Sequence, residues 1–292
     1  GVDVHYGGID GYSSREIPVF PATWYSDTYY TPVPTTASPD SAVVMLYNSL
    51  NRSIDINWDF GNTSNGTVTL PAKTAKRFPL NLSATNAYKF TNPTGESFTA
   101  IEIIDSYTPG GGGNSGADYD WAFNLISEDR LTNFAAIAWA PGGTDATVNG
   151  NPIWVTPTAN TTIYVKYDGD VLNGGSTSAC GMHYDVSYSL NKLSYKKLFD
   201  SDNDQSGLAV FTCDGTDIAA VYGEDPSVAG TAFPYWDVGS TIQPFCGQKL
   251  ILANDDLAYT LINQPVTIPV LKNDAGFLAV IDPATLATLG YL

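Results

Sequence analysis

The sequence predicts an all-β chain of tandem β-sandwich domains, with a further unit beginning near the C-terminus. Three observations carry this expectation. Gly 27, Pro 18 and Tyr 18, with abundant Thr and Val, favour short strands and turns over helices. Apolar residues spaced for one face of a helix are nearly absent. Short apolar or alternating runs recur instead, separated by turn residues at intervals of roughly ten, the rhythm of sandwiches and barrels.

Taken in order, strands are expected in "AVVMLYN" (42–48), "SIDINWDF" (53–60), "GTVTLPA" (66–72), "KRFPLNL" (76–82), "NAYKFTN" (86–92) and "FTAIEIIDSY" (98–107). "TPGGGGNSGAD" (108–118) follows. Consecutive glycines hold no regular element cheaply, and strand-like sequence continues on both sides, so this reads as a long hairpin loop. A phosphate loop would need a following Lys and a helix start, and neither is there. Further strands are expected in "DYDWAFNLIS" (118–127), "NFAAIAWAP" (133–141), "TTIYVKYDG" (161–169), "HYDVSYSL" (183–190), "LAVFTCDG" (208–215), "DIAAVYG" (217–223) and "QKLILAN" (248–254). Trp58, Trp121, Trp139, Trp154 and Trp236 sit in strand-like runs and are expected in the core.

An internal echo links residues 135–165 with 219–245: a small-residue strand, a turn, Pro-x-Trp at Pro152–Trp154 and Pro234–Trp236, then Thr-Ile. It predicts two related β-domains in tandem. "GGTDATVNGN" is all turn chemistry and places their boundary near 142–152. The expected domains are 1–145, 146–251 and 252–292.

Thirteen basic residues against 30 acidic ones give a net charge of −17. Phosphate backbones and anionic membrane surfaces are repelled, so nucleic-acid binding is not expected. No apolar run approaches the ~20 residues of a membrane span, so no membrane insertion is expected. Divalent cations are the natural match for the acidic surplus. "GVDVHYGGID" has neither the basic start nor the apolar stretch of a signal peptide, which implies a removed signal or a piece of something longer. Cys180, Cys213 and Cys246 show no CxxC spacing, which rules out a zinc ribbon; one disulfide with a free thiol, or three thiols, both remain open.

From Leu252 the register changes. Asn254-Asp255-Asp256, the run Pro265 to Leu271 ("PVTIPVL"), the Asn273-Asp274 turn and "DPATL" from Asp282 to Leu286 resemble the opening of bacterial Ig-like or cadherin-like repeats. Such repeats occur in tandem in large surface proteins. A full repeat is about twice this length, which implies truncation, proteolysis or completion by another chain; a half sandwich leaves an open edge. "PIWVTPTANTTIYVKYDGD", "FDSDNDQSGLAVFTCDG" and "IAAVYGEDPSVAGTAFPYWDVGSTIQPF" are similar to modules of large exported bacterial proteins, many of which carry type IX sorting domains. The resemblance implies a secreted or bacterial cell-surface location and an adhesive or structural class.

Several sets of residues could carry chemistry. In "DSDNDQSG", Asp200, Asp202 and Asp204 alternate as the first ligands of a calcium loop do. Gln205 and Phe211 stand where an EF-hand has its Gly and its Glu, so this is no EF-hand. An open calcium site completed by Asp168 and Asp170, or by Asp214, and a plain solvated turn are both open readings. Asp255, Asp256 and Asp274, with Asn273, form a second acidic set at an expected domain junction. In cadherin-like tandems, calcium at such junctions stiffens the joint; the plain reading is turn chemistry. Trp24, Tyr25, Tyr29 and Tyr30 in "ATWYSDTYYTP" could stack on sugars, or could fill a packed corner. A glycosidase pair would be sought at Glu224 and Asp225, or among Glu16, Glu96, Glu102 and Glu128. No G-x-S-x-G elbow is present, and His5 and His183 are the only histidines.

The expected function is therefore a non-enzymatic structural or adhesive segment of a large secreted bacterial surface or filament protein, stiffened by calcium. Its partners would be other copies of the assembly or cell-surface glycans. A non-catalytic polysaccharide-binding module is the alternative, and a hydrolase the third reading.

Overall fold

A computed structural model describes residues 2–8, 11–18, 20–33, 42–61, 64–79, 86–105, 120–141, 151–167, 177–201, 204–223, 239–242, 251–252 and 275–276. The strands are β1 (Val2–Gly8), β2 (Gly11–Ile17), β3 (Thr28–Thr31), β4 (Ala42–Tyr47), β5 (Ile54–Phe60), β6 (Ser64–Leu70), β7 (Ala75–Pro79), β8 (Tyr88–Thr91), β9 (Thr99–Asp105), β10 (Asp120–Asn124) and β11 (Ile126–Ser127). They continue as β12 (Phe134–Ala136), β13 (Ile153–Pro157), β14 (Thr161–Lys166), β15 (Ser178–Ala179), β16 (Met182–His183), β17 (Val186–Leu190), β18 (Lys196–Leu198), β19 (Ala209–Thr212), β20 (Ile218–Gly223), β21 (Gly239–Thr241), β22 (Ile251–Leu252) and β23 (Ala275–Gly276). Among the described residues the only helical segments are two 3-10 turns, Ala22–Trp24 and Glu128–Arg130. The chain is all-β, built from antiparallel sheets.

The first sandwich packs sheet β10-β9-β4-β7 against sheet β11-β3-β8-β5-β6. Alternation decides which side chains meet. On β5, Ile54, Ile56 and Phe60 are buried while Asp55 and Asn57 face solvent. They join Phe90 of β8, Leu70 of β6, and Val44 and Leu46 of β4 in one core. The β1–β2 hairpin ends at Ile17, which packs with Val43, Ile103 and Ala122 on the other face of the β4–β9–β10 sheet.

The second sandwich packs sheet β12-β19-β14-β17 against sheet β18-β13-β20-β21. Ile163, Val165 and Val210 from one sheet meet Ile153, Val155 and Tyr222 from the other. A disulfide joins Cys180, in the β15–β16 turn, to Cys213 beyond β19. The thiol question left open by the sequence is thus answered for these two residues; Cys246 lies outside the described residues.

Several expectations need correction. β12 falls before residue 145, yet it pairs with β19 of the second sandwich, so the changeover lies between β11 and β12. The echoing segments 135–165 and 219–245 both contribute to that one sandwich, where β13 and β20 are neighbours, and so do not mark two domains. Trp139 is 59% exposed rather than core. The strand carrying it stops at Ala136, so the alternation that buries Ala135 and Ile137 no longer directs residue 139 inward. Trp121 and Trp154 are buried, Trp58 is half-buried, and Trp236 lies outside the described residues. The glycine-rich stretch 108–118 also lies outside them, as does the expected terminal repeat except for the β22–β23 pair.

Candidate functional site

The two sandwiches meet in a buried joint, and the sequence explains why it is close. β13 and β20 are buried along their whole length. Their side chains divide between two cores. Ile153, Val155, Ala220 and Tyr222 fill the second core, whereas Trp154 and Val221 pack into the first. A strand covered on both faces needs apolar residues at every position, and "IAAVYG" supplies them.

Trp121 of β10 is the centre of the joint. Its ring lies against the backbone of β20 and β21 at Gly223 and Gly239. A Cβ at Gly239 would stand 1.9 Å from its ring, and one at Gly223 2.3 Å, so both positions need glycine for this approach. The Trp154 indole donates to Gly223 O at 3.1 Å, and Thr241 Oγ1 donates to Asn124 O at 2.5 Å across the seam. A second contact buries Tyr30 and Ile126 against Leu193 and Ala219, where Ala87 N donates to Leu193 O at 2.7 Å. No single motif announced this joint. Its signal was the loss of alternation in "IWV" and "IAAVYG", with glycine at 223 and 239.

The aromatic set predicted to meet sugars is divided by this packing. Tyr29 and Tyr30 are successive on β3 and point to opposite faces. Tyr29 enters the first core; its hydroxyl donates to Phe98 O at 2.8 Å, and burial pushes its pKa up to about 12. Tyr30 enters the joint; its hydroxyl donates to Glu128 at 2.8 Å, and burial, then Glu128, push its pKa up further. Neither ring is open for stacking, because both faces of β3 are covered. Trp24 keeps 36% of its surface exposed, and Tyr25 is half-buried. The Arg130 guanidinium stands 4.0 Å from the centre of the Trp24 ring, and Phe20 tilts against it at 5.0 Å. A cleft of about 290 Å³ opens beside Trp24, with Phe123 and Thr241 on its wall.

In the acidic loop, Asp200 is buried and its Oδ1 accepts from Ser201 N at 2.5 Å. Asp204 Oδ1 accepts from Ser206 N at 2.9 Å, a turn-capping bond. Gln205, which broke the EF-hand pattern, is buried and closes the loop: its Oε1 accepts from Asp200 N, and its N–H donates to Ala140 O. Asp214 likewise caps a turn, accepting from Thr216 N and from Thr161 Oγ1. Burial acts to raise the Asp214 carboxyl, but these bonds outweigh it and hold it below its ordinary value. Among the described residues no three His, Cys, Asp or Glu side chains converge as a metal site. In the described part of the loop, Asp200 and Asp204 accept from backbone N–H groups of the turn. Asp202, Asp168, Asp170, Asp255, Asp256 and Asp274 lie outside the described residues.

Among the described residues, the glycosidase candidates Glu96, Glu102 and Glu128 each bind a different partner. Glu96 pairs with Arg52. Glu128 binds Tyr30 and Lys89; burial acts to raise its carboxyl, and these two partners outweigh it and lower it. Glu102 is fully buried, held through one oxygen by Thr31, and burial raises its pKa well above the ordinary value. Glu16 lies in β2, and Glu224 and Asp225 lie outside the described residues. His183 is exposed on β16, and His5 lies in β1. Comparisons with protein-family models, with curated proteins and with solved structures find no match to this chain.

Proposed function

We propose that the chain is a non-enzymatic structural or adhesive segment of a large secreted bacterial surface or filament protein. The observation that carries this reading is the joint, in which Trp121 is seated on Gly223 and Gly239 and the two sandwiches share buried apolar contacts. A segment that transmits force or spaces a binding tip needs such a union, since domains joined by polar contacts alone move against each other. The Cys180–Cys213 disulfide supports an oxidising, extracellular setting. The low content of basic residues supports a surface that avoids nucleic acid and anionic lipid.

Force spectroscopy tests the mechanical claim. The sandwiches should unfold together in wild type and separately in Trp121→Ala; separate unfolding in wild type would overturn it. Antibody labelling of intact source cells tests location: internal signal alone would refute export. Calcium stiffening belongs to the same proposal. Millimolar calcium should raise the melting temperature relative to chelator, with the rise lost in Asp202→Ala; a ligand at 100 times its Kd adds about 2.7 kcal/mol. An unchanged melt would leave Asp200 and Asp204 as turn caps alone.

A further inference from the structure

The second sandwich covers only part of the outer face of the first. It packs over Tyr30 and Ile126 and leaves the β5–β6–β8 side of that face open. There a groove of about 740 Å³ runs beside the joint. Asn57 and Asp59 of β5, Thr67 of β6, and Lys89 and Thr91 of β8 line it, and Lys192 of the second sandwich closes one side. Alternation places these polar residues together. They are the outward positions of strands whose inward positions, such as Ile56 and Phe90, form the core.

Both lysines at the groove are paired, Lys192 with Asp59 on the lining and Lys89 with Glu128 beyond it. Lys192 Nζ is 3.1 Å from Asp59 Oδ2, and Lys89 Nζ is 3.0 Å from Glu128 Oε1. The lining itself carries two cations and one anion, and Glu128 offsets Lys89 from outside it. Each lining charge is already held in an ion pair, so an entering ion finds no unmatched partner among them. Asn57, Asn65, Thr67 and Thr91 add hydrogen-bonding groups, beside the half-buried Trp58. The Thr67 hydroxyl bonds Asn57 Oδ1 at 2.8 Å, which fixes the amide with its nitrogen turned away from that bond. The volume lies within the ~300–1,000 Å³ of small-molecule sites. The polar lining offers an apolar ligand little.

We propose that this groove binds a short neutral oligosaccharide, laid across the seam between the two sandwiches. Sugar hydroxyls both donate and accept, which matches amide, hydroxyl, carboxylate and ammonium groups without demanding net charge. The inference deepens the adhesive reading, and rests on it only for the source of the sugar, a glycan-bearing surface.

The test is isothermal titration of the whole 292-residue chain. The probes are the neutral trisaccharides of glucose (β- and α-linked), xylose and N-acetylglucosamine, with the trisaccharide of galacturonic acid as the acidic comparison. At least one neutral probe should bind saturably, with an affinity unchanged by salt. The double variant Asn57→Ala/Thr91→Ala should weaken it about thirtyfold, two hydrogen bonds at ~1 kcal/mol each, while the chain still melts in a folded, cooperative transition. Binding by no neutral probe, or by the acidic one alone, overturns the proposal. So does binding that survives the double variant and disappears in Trp24→Ala, which would put the sugar at the aromatic corner. The pulling and labelling experiments do not depend on these side chains, so failure of the structural reading is seen separately.

Discussion

Strands β5 and β20 are both central in their sheets, yet they are written differently. β5 alternates: Ile54, Ile56 and Phe60 inward, Asp55 and Asn57 outward. β20 is buried at all six positions, Ile218–Gly223. The difference is the number of covered faces. The outer face of β5 meets water and the polar groove, whereas the outer face of β20 meets the first sandwich through Ala219 and Val221. An antiparallel strand that loses its alternation therefore marks a second packing surface as well as its own core.

The largest way to break this contrast is Trp121→Ala. It removes the ring that fills the seam and should cost about 3–5 kcal/mol in denaturant unfolding. It should also split one cooperative transition into two. If the transition remains single and stability falls by less than about 1 kcal/mol, the seam is not a core. Gly239→Ala comes next. Its Cβ meets Trp121 and the ring must move, so a loss of about 1–3 kcal/mol is expected. Gly215 provides the control for glycine itself: nothing lies within 4 Å of its Cβ position, but its φ of +81° costs Ala backbone strain without touching the seam. Gly215→Ala should therefore lower stability while keeping a single transition.

Glu102 sharpens the comparison from inside the first core. Its carboxyl is protonated more readily in the folded chain than in the unfolded one. The folded state therefore holds the extra proton above the ordinary value of 4.5. Stability should be full below that pH and should fall as pH rises through the raised folded value. Glu102→Gln should flatten that part of the pH–stability profile, as read by chemical denaturation at a series of pH values. A slope that persists in the variant would assign it to other groups. The smallest effect belongs to the open face. Thr69→Val removes a 2.6 Å hydroxyl bond to Asp55 across β5 and β6, and should change stability by about 0.5 kcal/mol or less.

The sequence determined the fold class, because alternation and turn residues act locally and can be read along the chain. It pointed to the Asp200–Asp204 loop as a turn or a cation site, and Gln205 in place of Gly already showed that no EF-hand would form. Tertiary structure decided what lies over each exposed face. Tyr29 and Tyr30 look identical in sequence, but one fills a core and the other a joint, because successive residues on a strand face opposite ways and both sides of β3 are covered. Trp139 sits in an apolar run but is exposed, because its strand ends before it. The changeover between sandwiches, the Cys180–Cys213 link and the polar groove all depend on partners distant in the chain. Such pairings are set by which surfaces exclude the most water when the sheets stack, and local periodicity carries no record of that choice.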